Sequence, residues 1–307
     1  MTSHFQSRHT SSSPESYIKR QQFEQAVPLA ELNLGASANA IEMSASGRIL
    51  ATGSSSGEAE LFEPRSGTRL QRFMCDSCIW GIDLSSDEML LVTGDASGKV
   101  MVWSTADGAC LLSVDCGSQV RSVEISENNA VLAAACQAGE GRVWTLAEGR
   151  DGANALQATL VRKVECGAAV YSIDLSADTK LVVTGDWSRK AKLWEVSSGA
   201  LLCVFACAHN VYSVRLSNDN RLLCTGDAMS KVRHRMPAQF LSRPLHRHRA
   251  PSSHMQAKVW NTQTGEQICS MNCSGWVYCA AFSADNRLLL TGDQVRSGSM
   301  DRTFTRV

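Results

Sequence analysis

No stretch of this 307-residue chain comes near the roughly 18 consecutive apolar residues of a membrane-spanning helix, so no such span is expected. The opening MTSHFQSRHTSSSPESYIKR lacks the apolar centre of a secretory signal. Charge of either sign is not in excess: 30 Lys and Arg offset 30 Asp and Glu. The whole molecule therefore has no general attraction to nucleic acid or to an anionic surface. Nucleophile elbows, metal-binding HExxH, phosphate loops and dinucleotide fingerprints are all missing, which removes the usual signatures of an enzyme. The 12 cysteines are scattered, and without a leader the expectation is reduced thiols in the cytoplasm, with the nucleus as the alternative. Hydrophobic content of 44% and charged content of 20% describe an ordinary soluble protein.

What the chain does contain is a period. IWGIDLSSDEMLLVTGD from Ile79 aligns without gaps with VRSVEISENNAVLAAAC from Val120 and VYSIDLSADTKLVVTGD from Val170. VYSVRLSNDNRLLCTGD from Val211 and VYCAAFSADNRLLLTGD from Val277 follow, and ANAIEMSASGRILATGS from Ala38 is a weaker copy. A polar turn and a strand ending in an aromatic come next, at Phe62, Trp103, Trp144, Trp194 and Trp260. Phe62, Trp103 and Trp144 stand 41 residues apart. Trp144 to Trp194 is 50, the excess falling in the polar linker EGRDGANALQ. Each unit alternates apolar and polar residues, then runs apolar, between Asp, Asn and Gly turns. That reads as about four strands per unit. One such sheet cannot cover both its faces, so the copies must pack on each other, and radial packing leaves only short strand edges.

The closing Trp, the TG step and the turns Leu84-Ser85-Ser86-Asp87 and Phe282-Ser283-Ala284-Asp285 make the units similar to WD repeats. The resemblance covers residues 28 to 307 apart from one block. It implies an all-β fold, a β-propeller of four-stranded antiparallel blades, with residues 27–307 as the propeller and 1–26 as a disordered Ser-rich tail. Six blades are visible; a truncated seven-bladed form is the alternative. VPLAELNL, residues 27–34, would complete the last blade, whose other strands come from 277–307. The stretch after TGDQ is read as strand, with read-through to a stop codon as the other reading. The resemblance further implies a non-catalytic scaffold for protein–protein interaction, monomeric within a multi-protein complex, needing no cofactor or metal. An RNA-associated subunit and, less so, a propeller enzyme are the competing classes.

The family's structural set survives in part. The hydroxyls Thr52, Thr93, Thr184, Thr225 and Thr291 and the indoles Trp103, Trp144, Trp194 and Trp260 are present. Cysteine stands where the family has histidine, at Cys75, Cys116, Cys166, Cys207 and Cys273, and the turn aspartate moves to Asp95, Asp186, Asp227 and Asp293. A thiol is a weak donor, expected to act mainly as a small apolar filler. Cys75-Asp76-Ser77-Cys78 is a lone CxxC, weak as a metal or redox signal.

One repeat position is occupied by Trp80, Arg121, Tyr171, Tyr212 and Tyr278, three of the four tyrosines in the chain. It begins the innermost strand near one mouth of the channel, where the resemblance implies partner binding. Trp, Tyr and Arg dominate interface hot spots. The alternative is that these side chains wedge between blades. Trp276 would add to either surface.

The block Val232 to Gln256 breaks the pattern with five Arg, four His, three Pro and no acid. Removing its 25 residues restores the 41-residue spacing from Trp194 to Trp260 and rebuilds TGDAMSKAKVWNTQTGE. Its Val and Gln ends match the codon boundaries of an intron, so a retained intron in a eukaryotic gene is one reading. A basic loop attractive to phosphates is the other.

Overall fold

The computed structural model describes residues 32, 34–149, 155–228, 255–273, 276–283, 285, 286, 288–294 and 300–306, and among these there is no helix. The strands form six antiparallel sheets in chain order. The first holds β1 (Ala38–Met43), β2 (Leu50–Ser54), β3 (Glu58–Phe62) and β4 (Arg69–Met74). The second holds β5 (Ile79–Leu84), β6 (Leu90–Asp95), β7 (Lys99–Ser104) and β8 (Cys110–Asp115). The third holds β9 (Val120–Ile125), β10 (Val131–Cys136), β11 (Glu140–Glu148) and β12 (Leu156–Glu165). The fourth holds β13 (Val170–Leu175), β14 (Leu181–Asp186), β15 (Lys190–Glu195) and β16 (Leu201–Ala206). The fifth holds β17 (Asn210–Leu216), β18 (Leu222–Ala228), β19 (Met255–Asn261) and β20 (Gln267–Cys273). The sixth holds β21 (Trp276–Phe282), β22 (Leu288–Gln294) and β23 (Met300–Arg306).

Each sheet's first strand packs beside the first strand of the next, from β1 through β5, β9, β13 and β17 to β21. This arrangement is consistent with the blades of a β-propeller, as the repeat predicts. The core lies between blades. At the first junction Leu61 and Phe73 meet Ile82, Leu91 and Trp103, and four further clusters fill the remaining junctions from the second sheet to the sixth. Burying one Val, Leu or Ile in such a cluster contributes about 1.5–3 kcal/mol. The glycine of the TG step exists because blades approach closely there: a Cβ on Gly185 would lie 2.7 Å from Val211 Cγ1.

Hydrogen bonds repeat the sequence period. The Ile125 amide donates to Asp83 Oδ2 at 2.7 Å, the Leu216 amide to Asp174 Oδ2 at 2.5 Å, and Asn129 Nδ2 to Asp87 Oδ2 at 2.7 Å, each across 42 positions. Among the described residues the first sheet is less covered along its first strand. Ile41 is 63% exposed, whereas Ile173 and Val214, at the same repeat position, are 0% exposed.

Within the C-terminal stretch, Met300–Arg306 form β23, paired along β22, while 295–299 and 307 lie outside the described residues. Of the block 232–256, Met255 and Gln256 belong to β19: Met255 pairs with Cys273, and the Gln256 amide donates to Asp227 Oδ1 at 2.8 Å. Lys99 and Lys190 amides hold the same place on Asp95 and Asp186. Residues 232–254, the tail 1–26 and, of the closing segment 27–34, residues 27–31 and 33 lie outside the described residues.

Candidate functional site

Every innermost strand begins with a β-bulge. Ile79 pairs with Asp95 and Gly81 with Gly94, which leaves Trp80 without a partner residue on β6. The same skip leaves out Arg121, Tyr171, Tyr212 and Tyr278, and Asn39 in the first sheet. A bulge bends its strand and re-aims the extra side chain. The five residues singled out by the repeat are thus all among the six that this device turns out of the ladder.

They come together as one belt. The Arg121 guanidinium lies 4.5 Å from the Trp80 ring centroid and 5.3 Å from that of Tyr171. Tyr171 and Tyr212 rings are 5.0 Å apart, and Tyr212 and Tyr278 rings 5.7 Å. Trp276 joins at 5.9 Å from Tyr278. Trp80 and Tyr278 stay exposed, at 36% and 40%, while Arg121, Tyr171 and Tyr212 are half-buried. The side chains therefore pack between blades and also present a surface. Each ring pair adds about 0.5–1.5 kcal/mol beyond its buried area, and the cation contacts add a similar amount. Burial pushes the Tyr212 phenol up to about 12, so it remains a neutral donor.

Trp187 belongs to the same cluster and was not singled out in the sequence. Its ring lies 5.1 Å from Tyr171 and 6.0 Å from Tyr212, and it is 40% exposed. The signal was available: TGDWSRK carries an indole where the second and third units have Ala96 and Gln137.

Beneath the belt, each turn aspartate organises the loop that follows it. Asp95 Oδ1 accepts from the Ser97 amide at 2.9 Å and its hydroxyl at 2.6 Å, and Asp186 does the same with Ser188 at 2.8 and 2.6 Å. Trp103, Trp194 and Trp260 indoles donate to Thr93, Thr184 and Thr225 hydroxyls at 2.9, 3.0 and 3.0 Å. The cysteines do more than fill space. Cys75 and Cys166 thiols hydrogen-bond with Thr93 and Thr184 at 3.4 and 3.3 Å, and Cys207 donates to Thr225 at 3.6 Å. The thiol completes the set because its sulfur reaches the hydroxyl from the loop that enters the blade. In the third sheet Ala134 removes the hydroxyl, and Trp144 is packed in the apolar cluster. In the first and sixth sheets Thr52 and Thr291 are buried.

Further along the innermost strands a second repeat position gathers Glu42, Asp83, Glu124, Asp174 and Arg215. Arg215 bridges Glu124 at 2.8 Å and Asp174 at 2.9 Å. Burial pushes Glu42 and Asp174 up to about 7, against the pull of Arg215, and holds Asp83 well above the carboxylate range. These oxygens are engaged: Asp83 accepts from Leu84 and Ile125 amides, and Asp174 from Leu216 and Arg215. Among the described residues no three His, Cys, Asp or Glu side chains are grouped to hold a metal.

The family model of the WD domain, G-beta repeat, matches residues 67–104, 158–195 and 265–304. Each matched stretch runs from the outer strand of one sheet through the three inner strands of the next. Among curated proteins no relative matches the chain.

Proposed function

We propose that this chain, which contains three WD40 repeats, is a non-catalytic scaffold that binds protein partners through the belt of Trp80, Arg121, Tyr171, Tyr212 and Tyr278, with Trp187 and Trp276 extending it. WD40 repeats are in general interaction platforms. The observation that carries the assignment to this face is the bulge repeated in successive blades, which delivers aromatic and arginine side chains to one connected surface. Large rigid rings bind at low entropy cost, and the arginine held between two of them supplies direction to an otherwise apolar contact. The role is that of a monomeric propeller within a larger complex, in the cytoplasm or nucleus. Asp83 and Asp174 on the inner strands support the non-catalytic reading, because their oxygens already join neighbouring blades.

The test compares capture by the parent, by Tyr171→Ala/Tyr212→Ala, and by a control, Lys180→Ala, an exposed residue of the turn between β13 and β14. Partners reduced roughly tenfold or more by the double substitution alone would support the belt, since hot spots are worth about 2 kcal/mol or more each. Unchanged partners in a folded double variant would remove it.

A second reading rests on the basic block. β18, the strand that precedes it in the chain, ends at Ala228, whose backbone partner is Asn210, two residues from Tyr212. RNA binding through this block would weaken steeply with salt, whereas belt binding would not.

A further inference from the structure

Three junctions between sheets share one contact. Gly108, Gly199 and Gly265, each in the turn between the third and fourth strands of its sheet, face Gln71, Arg162 and Cys203 on the outer strand of the sheet before. The pairings Leu61–Gln71, Val143–Arg162 and Leu193–Cys203 give those three side chains one repeat position. Between the third and fourth sheets Arg162 fills the junction. Its Nε donates to the Val196 carbonyl at 3.0 Å, and a terminal nitrogen donates to the Ser197 carbonyl. Between the fourth and fifth sheets the short Cys203 stands instead, and a cleft of about 540 Å³ opens there. Thr262 and Gln263 occupy the places of Val196 and Ser197: the Val196 and Thr262 amides donate alike to the Lys180 and Arg221 carbonyls. Both residues line the cleft, and their carbonyls accept no hydrogen bond among the described residues.

We propose that this cleft binds an arginine side chain of a partner protein, whose guanidinium donates to the Thr262 and Gln263 carbonyls as Arg162 does to those of Val196 and Ser197. A planar fork of donors reaches two neighbouring carbonyls at once, whereas a lysine ammonium is a point charge. Leu181 and Leu202 offer apolar surface to the aliphatic stem. Asp178 and Asp219 line the cleft as carboxylates, and the Ser176 and Ser217 hydroxyls hold both below their ordinary range, so both are charged at neutral pH. The third sheet has Asn128 where the fourth has Asp178, so the cleft carries one carboxylate more than the junction that Arg162 fills. Arg221 borders the cleft, but Lys180 holds the matching place beside Arg162, so a basic neighbour does not exclude a guanidinium. The site lies past the last residues of β13 and β17, whereas Tyr171 and Tyr212 stand near their first, which separates it from the belt.

The isotopically labelled full-length chain is titrated with N-acetyl-arginine amide and with its lysine and citrulline counterparts, and amide shifts are followed by NMR. Arginine should move the Thr264 and Gly265 amides, and the other two compounds should bind more weakly by roughly tenfold, as for one lost hydrogen bond to a charged group. Cys203→Arg supplies the guanidinium from within the chain. It should weaken arginine binding roughly tenfold or more and raise the urea midpoint of unfolding. Asp219→Asn keeps the acceptor of its turn and removes the charge, with an expected weakening of roughly two- to fivefold, and it decides the matter if Cys203→Arg does not fold. Shifts that miss Thr264 and Gly265, or equal binding of the three compounds, would overturn the proposal. So would arginine binding that persists in folded Cys203→Arg and disappears in Tyr171→Ala/Tyr212→Ala, since it would then belong to the belt.

Discussion

Thr184 accepts from the Trp194 indole and meets the Cys166 thiol, all within one blade. Thr184→Val keeps the shape and strands both donors in a buried place. The expected loss is about 1–3 kcal/mol, measured by urea unfolding, because an unmade buried hydrogen bond costs its full desolvation. A loss under about 0.5 kcal/mol would mean that the set does not stabilise its blade. Glu42 bears on pH. Its folded value lies near 7 against an ordinary 4.5, since burial disfavours the charged form more than Arg215 favours it. The folded chain therefore keeps a proton that the unfolded chain has released, and this contribution to stability fades as pH rises through that window. Glu42→Gln should flatten the decline in unfolding midpoint between about pH 5 and about pH 8. Asp178 and Asp219, held low by the Ser176 and Ser217 hydroxyls, act in the opposite sense and only at more acid pH.

Strands were legible as elements because apolar alternation and turn residues recur in each unit; Asp87 capping the turn after β5 is one case, with the Met89 amide on Oδ1 at 3.0 Å. What joins one element to the next was not. Asp174, next to last in β13, reads as one more polar residue in an alternating strand, yet it takes the Leu216 amide of β17 and the Arg215 guanidinium. Removing it should loosen the fourth sheet from the fifth. Asp174→Ala is expected to cost about 1.5–3 kcal/mol, as for a hydrogen bond to a charged group. Combined with Arg215→Ala, the losses should fall short of additive, because both variants break the same link. Strict additivity in unfolding experiments would separate the two residues.

Across the whole molecule the sheets differ in how they are covered. Ile41 and Ile173 share a repeat position, but only Ile173 is enclosed. Ile173→Ala should cost about 2–5 kcal/mol through lost transfer energy and a cavity, and Ile41→Ala less than about 1 kcal/mol. Equal costs would show the first sheet covered in solution. The block at 232–256 shows the same division of information: the period sets off 25 residues there, while the place of Met255 and Gln256 in β19 followed from pairing with Cys273 and Asn272. By itself the amino-acid order determined the repeating unit, the strands within it, the indole that closes it and which side chains share the position of Tyr171. Those are local properties of spacing and polarity. Only the tertiary structure decided that the shared position is a bulge, that Trp187 leans into the belt, and that Arg215 reaches Glu124 from 91 positions away. Such meetings depend on how closely blades approach and how far each strand bends, and these are set by packing between sheets.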